Sequence, residues 1–509
     1  MIPGTLRQWL DGWGSGFQSA TDASIGATHA RFGLGAAKLP QRLLVGTDCS
    51  GIDAPIHGLR ELGIPHQHLF GSEVAAGPRS VIEANTKPSV LFHSVLDADK
   101  AQIFYGVVAR IQLVRPSCFV LENVSGIKRV SAKVLAALRS TGYHVEMILM
   151  NPAELQEPIQ RPRYYFIGVR QDVSLISPKD MSCWLREAWA EVQDSVASGD
   201  AVDLLDRLLP ASHPAVAQYQ ESRKRKWSQA SNRGFPGSQA PGSHAPKWKE
   251  LHKMCKASMQ QGSRLKSESR RPCTESGVAC CADTLFLHLP RERDAWDIIC
   301  TKHAGSQELV ADVSQNVNRA RVRTDGSLPT VTPGAVLVSA RAGRIISPLE
   351  KVMLHGFPIH RMVFPSRVTD KELASMGGNT MHVQIVAVAM KFALALVNWS
   401  LPKASRPTAL CSTVAAPSIT ASVVLGAAAK CRKRHGKPRK APKAPKAASA
   451  QKAPKAPKAP KALKAQKAEG MSALAKRWQK VVRPQSAKKC SRKGATAPLA
   501  CRLAHRWAK

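Results

Sequence analysis

Arg115-Pro116-Ser117-Cys118-Phe119-Val120-Leu121-Glu122-Asn123-Val124-Ser125-Gly126-Ile127 sets an acid and an amide directly behind a short apolar run, with a glycine turn after them. Cys118 to Leu121 has the length of a strand buried on both faces of a parallel sheet. In open α/β sheets ligands bind at the carboxyl ends of strands, so a glutamate there faces a substrate rather than bulk water. The bland alternative is that Glu122 only caps the next helix. The neighbouring segments decide between the two.

Upstream, Arg42-Leu43-Leu44-Val45-Gly46-Thr47-Asp48-Cys49-Ser50-Gly51-Ile52-Asp53-Ala54-Pro55 reads as strand, tight turn and helix start. Free backbone N–H groups at such a helix start attract electronegative ligands, although most such units bind nothing. A second strand, His66 to Phe70, ends in Gly71-Ser72-Glu73, an acid placed where ribose hydroxyls are usually met. Its bland reading is a solvated helix cap. A third strand and loop, Val90 to Asp97, again closes on an acid. Three such units argue for a doubly wound parallel sheet. Residues 103–114 form the helix leading into the opening stretch.

Downstream, a helix at Ser131–Ser140, a strand at Tyr143–Met150 and Gln160-Arg161-Pro162-Arg163 before Tyr164–Val169 continue the pattern. Two arginines flanking a proline can present guanidinium forks to a base or phosphate, or merely guard a strand edge. The expected domains are a loosely ordered leader (1–40), a main α/β region (41–199), a flexible basic insertion (200–284), a second part of the main domain (285–400) and a basic tail (401–509). Arg223-Lys224-Arg225-Lys226 in the insertion has the composition of a nuclear address. Val383–Val397 has helical spacing and should pack back onto the sheet.

The formal charge is +38 over 509 residues. From Leu401 onward 28 Lys and Arg stand against one acid, Glu469, so the tail carries +27 and the rest +11. Lys440, Lys443, Lys446, Lys452, Lys455, Lys458 and Lys461 recur among Ala and Pro. Frequent proline forbids a regular helix, leaving an extended, disordered polycation suited to nucleic acid. Its binding should be sequence-independent and steeply salt-dependent. The 12 cysteines contain no CxxC pair, which indicates neither a zinc site nor a disulfide framework. Ile385 to Val397 is interrupted by Lys391 and is too short to span a bilayer, and no apolar signal core opens the chain. A soluble, intracellular, nuclear protein is expected.

Taken in order, these landmarks resemble the DNA (cytosine-5)-methyltransferases. The resemblance covers Leu43–Gly168 and roughly Pro329–Val397, and rests on Arg-Pro-x-x-Phe-Val-Leu-Glu-Asn-Val-x-Gly, Leu354-His355-Gly356-Phe357-Pro358 and Gly377-Gly378-Asn379. It implies the class I methyltransferase sheet and S-adenosylmethionine as cofactor. By the same resemblance Cys49, Ser50, Gly51 and Ile52 would wrap the amino-acid part of the cofactor. Glu73 would bind its ribose, Asp97 would lie beside its adenine, and Gly378 and Asn379 would close the pocket. Glu122 would hold an extruded cytosine at N3, with Arg163 and Arg161 on its other side.

Departures from the family pattern are as informative. Cys49 stands where the family has a phenylalanine and Asp53 where it has a glycine. The family's nucleophile, in a Pro-Cys-Gln loop after a fourth strand, has no counterpart, since five residues separate Asp97 from Ile103. The sheet would then lack its fourth strand, and cofactor binding should be weak. Three readings remain open: a DNA methyltransferase with a segment lost, a catalytically silent DNA-binding chromatin factor, and a tRNA cytosine-5 methyltransferase.

Overall fold

Short apolar runs bounded by Gly, Pro and Ser become strands, and the segments between them become the helices that cover the faces. In the computed structural model β1 (Leu43–Asp48) pairs in parallel with β2 (His66–Ser72), and β2 pairs in parallel with β3 (Val90–Phe92). A second sheet has β6 (Arg163–Arg170) running antiparallel between β4 (Cys118–Val124) and β5 (Tyr143–Met150). The described residues are 4–35, 38–93, 100–197, 202–232, 249–255, 257, 289–303 and 306–401. The chain divides into two compact units, 1–404 and 405–509, and every described residue lies in the first. Asp97 and the tail lysines fall outside the described residues.

Among the described residues no strand pairs with β1 or β4 on the edge away from β2 and β6. The order β3-β2-β1, then β4-β6-β5, is that of one doubly wound sheet interrupted at its centre. The final helix, α11 (Val383–Ala395), supports both halves. Its Ala387 and Leu394 form one apolar cluster with Leu43, Leu59 and Leu62, against which Val45 of β1 and Cys118 of β4 both pack. The expectation of a β4 strand buried on both faces of a parallel sheet needs correction. Its only described partner is antiparallel, and Cys118, Val120 and Leu121 keep part of their surface in solvent. Leu44 of β1 is 59% exposed, unusual for a strand at the centre of such a sheet.

The helices α2 (Ala54–Glu61), α3 (Ala76–Asn85), α4 (Lys100–Val114) and α5 (Ser131–Arg139) follow β1 to β4 as the sequence indicates. Apolar residues of α4, Val108 and Ile111, pack with Phe119 and Phe166 on the second sheet. From the same helix Arg110 reaches the first sheet. Its Nη1 lies 2.6 Å from Asp48 Oδ1, and its guanidinium stands over the rings of Phe70 and Phe92 at 5.0 and 5.6 Å.

Two ordering expectations are overturned. The supposed loose leader contains a helix, α1 (Gly4–Arg31), packed on α6 (Met181–Ala197). Thr21, Ser24 and Thr28 donate their hydroxyls to carbonyls four residues back. This satisfies polar groups that lack apolar periodicity and lets them be buried. Arg31 pairs with Glu187 and Glu191 of α6, and Lys391 Nζ lies 2.5 Å from Asp22 Oδ1. Small and hydroxylated residues hid a helix that tertiary packing stabilises.

The insertion, expected to be flexible from residue 200, is ordered over 202–232. Leu204, Leu208, Leu209 and Val216 are buried, the last on α7 (Pro214–Asn232). Arg223 of the basic cluster pairs with Glu292 on α8 (Pro290–Lys302), so that cluster begins on a docked helix. Residues 249–255 and α8 pack on a small antiparallel sheet, order β10-β9-β7-β8, formed by Val310–Asp312 (β7), Val322–Arg323 (β8), Leu337–Ser339 (β9) and Arg344–Ile345 (β10). Much of its core lies in residues 295–345, past the low-complexity stretch. Among the described residues no helix is long and apolar enough to cross a membrane.

Candidate active site

The carboxyl ends of β1, β2 and β4 and the start of β6 carry most of the expected site residues. Glu122 and Arg163 lie on paired strands, and Glu122 Oε1 stands 2.8 Å from Arg163 Nε. Burial pushes the Glu122 carboxyl above its ordinary range, while the charges of Arg163 and Arg161 pull it down. This acid holds a proton more readily than a surface glutamate and has a cation at its side.

Arg161 does something other than touch a base. Its Nη1 donates to the carbonyl of Val331 and its Nη2 to those of Gly378 and Thr380. It is buried, and burial lowers its guanidinium to about 10. Arg161 ties the mouth of β6 to the 378–380 turn, and Arg163 is the member of the pair that stands against Glu122. That turn ends α10 (Asp370–Asn379). A Cβ on Gly378 would lie 2.2 Å from Pro333 N, which only glycine avoids. Asn379 is exposed, its Nδ2 3.2 Å from Ser375 Oγ.

The loop after β1 coils tightly through left-handed residues at Cys49 (φ 52), Gly51 (φ 70) and Asp53 (φ 63). A non-glycine residue there costs on the order of 1–2 kcal/mol. A Cβ on Gly51 would stand 3.3 Å from Thr380 Cα. The 49–53 loop therefore meets the turn that Arg161 clamps, and residues far apart in sequence share one wall. Glu73 is half-buried and its Oε1 accepts from Ala75 N at 2.9 Å, so one oxygen makes the helix-capping contact of the bland reading. Sequence reading missed Thr380, which joins both parts. It also noted Asp53 only as a departure from the pattern.

Neither nearby thiol is a ready nucleophile. Cys49 is exposed and Cys118 keeps part of its surface in solvent, yet the protein packed around each sulfur, with Asp48 and Glu73 beside Cys49, pushes the two thiols up to about 11 and about 12. At neutral pH such thiols are ionised at roughly one part in ten thousand or fewer. Among the described residues no group of His, Cys, Asp and Glu could hold a metal.

A profile of the C-5 cytosine-specific DNA methylases matches residues 93–392, more than half of the chain. The chain belongs to this family. The matched span takes in β4 to β6 and the 378–380 turn, and begins after the 49–53 loop. Among solved structures, S. pombe Dnmt2 methyltransferase is similar at 14% identity and a TM-score of 0.37, with 69% of this chain and 98% of that one covered. A putative DNA modification methyltransferase encoded within a prophage (E. coli) shares 15% identity, with a TM-score of 0.35, 70% of this chain and 99% of that one. No curated protein matches the chain.

Behind the turn, Lys351 on α9 (Pro348–Met353) is buried with its Nζ 2.5 Å from the carbonyl of Ala335. Burial lowers its amine from 10.5 to about 8. Between those values the unfolded chain binds a proton that the folded chain does not, so stability rises with pH across the window and is lost below about pH 8. The expected contribution is on the order of 3 kcal/mol. Denaturant unfolding of wild type and Lys351→Met from about pH 7.5 to pH 10 should show a difference that changes with pH in this sense. A constant difference would mean that Lys351 titrates as in water.

Proposed function

We propose that this chain binds DNA and holds a cytosine, turned out of the duplex, between Glu122 and Arg163. S-Adenosylmethionine would lie at the Cys49–Ile52 loop, and the chain's own thiols would not complete the transfer. The observation that carries the reading is the 2.8 Å Glu122–Arg163 pair at the carboxyl end of β4. A carboxyl with raised proton affinity can donate to N3 of cytosine, while the adjacent guanidinium donates to O2. The close approach of Gly51 to Thr380 fits a cofactor wall formed by both parts of the chain. Class I methyltransferases generally use this cofactor, which supplies an electrophilic methyl group on a sulfonium. The +27 tail would add sequence-independent affinity for DNA, and a nuclear location belongs to the same proposal.

The test is a comparison of duplexes carrying one mismatched cytosine or one mismatched thymine, which cancels the contribution of the tail. Wild type should prefer cytosine, Glu122→Ala should erase about tenfold of that preference, and Arg163→Ala should weaken both duplexes alike, since both bases carry O2. Equal affinity of wild type for both duplexes would sink the proposal. A preference seen with an RNA stem and not with DNA would move the substrate to RNA.

A further inference from the structure

The carboxylate of Asp53 lies beneath the cofactor loop, with none of the residue exposed. Its Oδ1 accepts from Thr47 Oγ1 at 2.8 Å and Ser50 Oγ at 2.5 Å, and its Oδ2 from Thr86 Oγ1 at 2.6 Å. His68 Nδ1 stands 3.9 Å from Oδ2, and His68 Nε2 lies 3.1 Å from Thr47 Oγ1. One carboxylate thus gathers the end of β1, the loop itself, a residue of β2 and the residue that closes α3.

Simple satisfaction of a buried acid is the bland account, and two observations go past it. Asp53 holds φ 63, a conformation that glycine adopts more readily. Strain of this kind persists only where the surroundings over-determine it, and three hydroxyl donors on one carboxylate do so. The edge of β1 away from β2, just before the loop, also has no strand partner among the described residues. The bond from Ser50 is made by the loop's own side chain, so it fixes the loop directly.

We propose that Asp53 is a positioning residue that holds the Cys49–Ile52 backbone in its binding conformation, replacing support that a neighbouring strand would give. The use of that conformation for an S-adenosyl ligand rests on the function proposed above; the ordering of the loop does not.

The experiment uses the full chain as wild type, Asp53→Gly and Asp53→Asn, with two readouts. The first is amide hydrogen exchange over residues 49–53, with β5 and β6 as internal reference. The second is the calorimetric affinity for S-adenosylhomocysteine. Asp53→Gly relieves the strained φ, so a merely structural role predicts an unchanged or slower loop. Positioning predicts loop exchange faster by about tenfold or more, with the reference strands unchanged and ligand affinity lower by a similar factor. Asp53→Asn keeps the shape and should fall between.

If wild type takes up no ligand, the cofactor reading fails while the exchange arm still decides the role of Asp53. If Asp53→Gly raises exchange throughout the chain, Thr86→Val serves instead, since it removes one donor from outside the loop and should loosen the loop alone. Unchanged loop exchange in the variant that folds overturns the inference, whatever happens to affinity.

Discussion

Incubated with labelled S-adenosylmethionine and DNA containing 5-fluorocytosine, the chain is expected to form no covalent adduct and to transfer no methyl group. C5 of cytosine is too weakly nucleophilic to take a methyl directly. A thiolate must first add to C6, which makes C5 enamine-like and able to attack the sulfonium methyl. Glu122 and Arg163 supply proton and charge assistance of several kcal/mol at most, and neither opens the covalent route. The chain has no Pro-Cys-Gln sequence, and Cys49 and Cys118 are pushed to about 11 and about 12. A family-type strand and Pro-Cys-Gln loop inserted between Asp97 and Ile103 should restore both adduct and transfer. The inserted strand would have an unpaired edge on each side to join, β1 with its exposed Leu44 and β4. Transfer by the unmodified chain that vanishes in Cys49→Ser or Cys118→Ser would overturn this and name a relocated nucleophile.

Glu350→Ala is expected to lower folding stability by about 3–5 kcal/mol. Glu350 is fully buried and accepts from Arg344 Nη2 at 2.6 Å and Nη1 at 2.9 Å, from Leu209 N at 2.9 Å and from Ser347 N at 2.8 Å. Truncation leaves a buried guanidinium and two backbone donors without their acceptor. Part of the penalty comes from stranding Arg344, so the double variant Arg344→Met/Glu350→Leu should recover that part, while Leu209 N and Ser347 N stay without their acceptor. Denaturant midpoints at constant slope measure both. A loss under about 1 kcal/mol in Glu350→Ala would show that solvent reaches the pair.

Much of this was legible before the fold was known. The 143–150 strand, the 131–139 helix and the final helix were legible because period and turn signals act locally. Ser347-Pro348-Leu349-Glu350, which sequence reading passed over, carries the pattern of a helix start, a serine three residues before a glutamate forming a reciprocal cap. That Glu122 and Arg163 belong together was implied by the family resemblance, and paired strands set them 2.8 Å apart. The chemical deficit was equally a matter of sequence, because a nucleophile has to be some residue in the chain.

Tertiary structure alone decided the rest. α1 has weak periodicity, and its burial depends on Glu187, Glu191 and Lys391, far away in sequence. Arg161 and Arg163 are two residues apart and look equivalent on paper. Only the carbonyls of Val331, Gly378 and Thr380, brought there by other segments, separate the clamp, Arg161, from the partner of Glu122, Arg163. Asp53 reads as a lapse from glycine until Thr47, Ser50 and Thr86 converge on it. Local sequence specifies which elements form and which chemistry is present. Which donor meets which acceptor depends on distances that only packing sets.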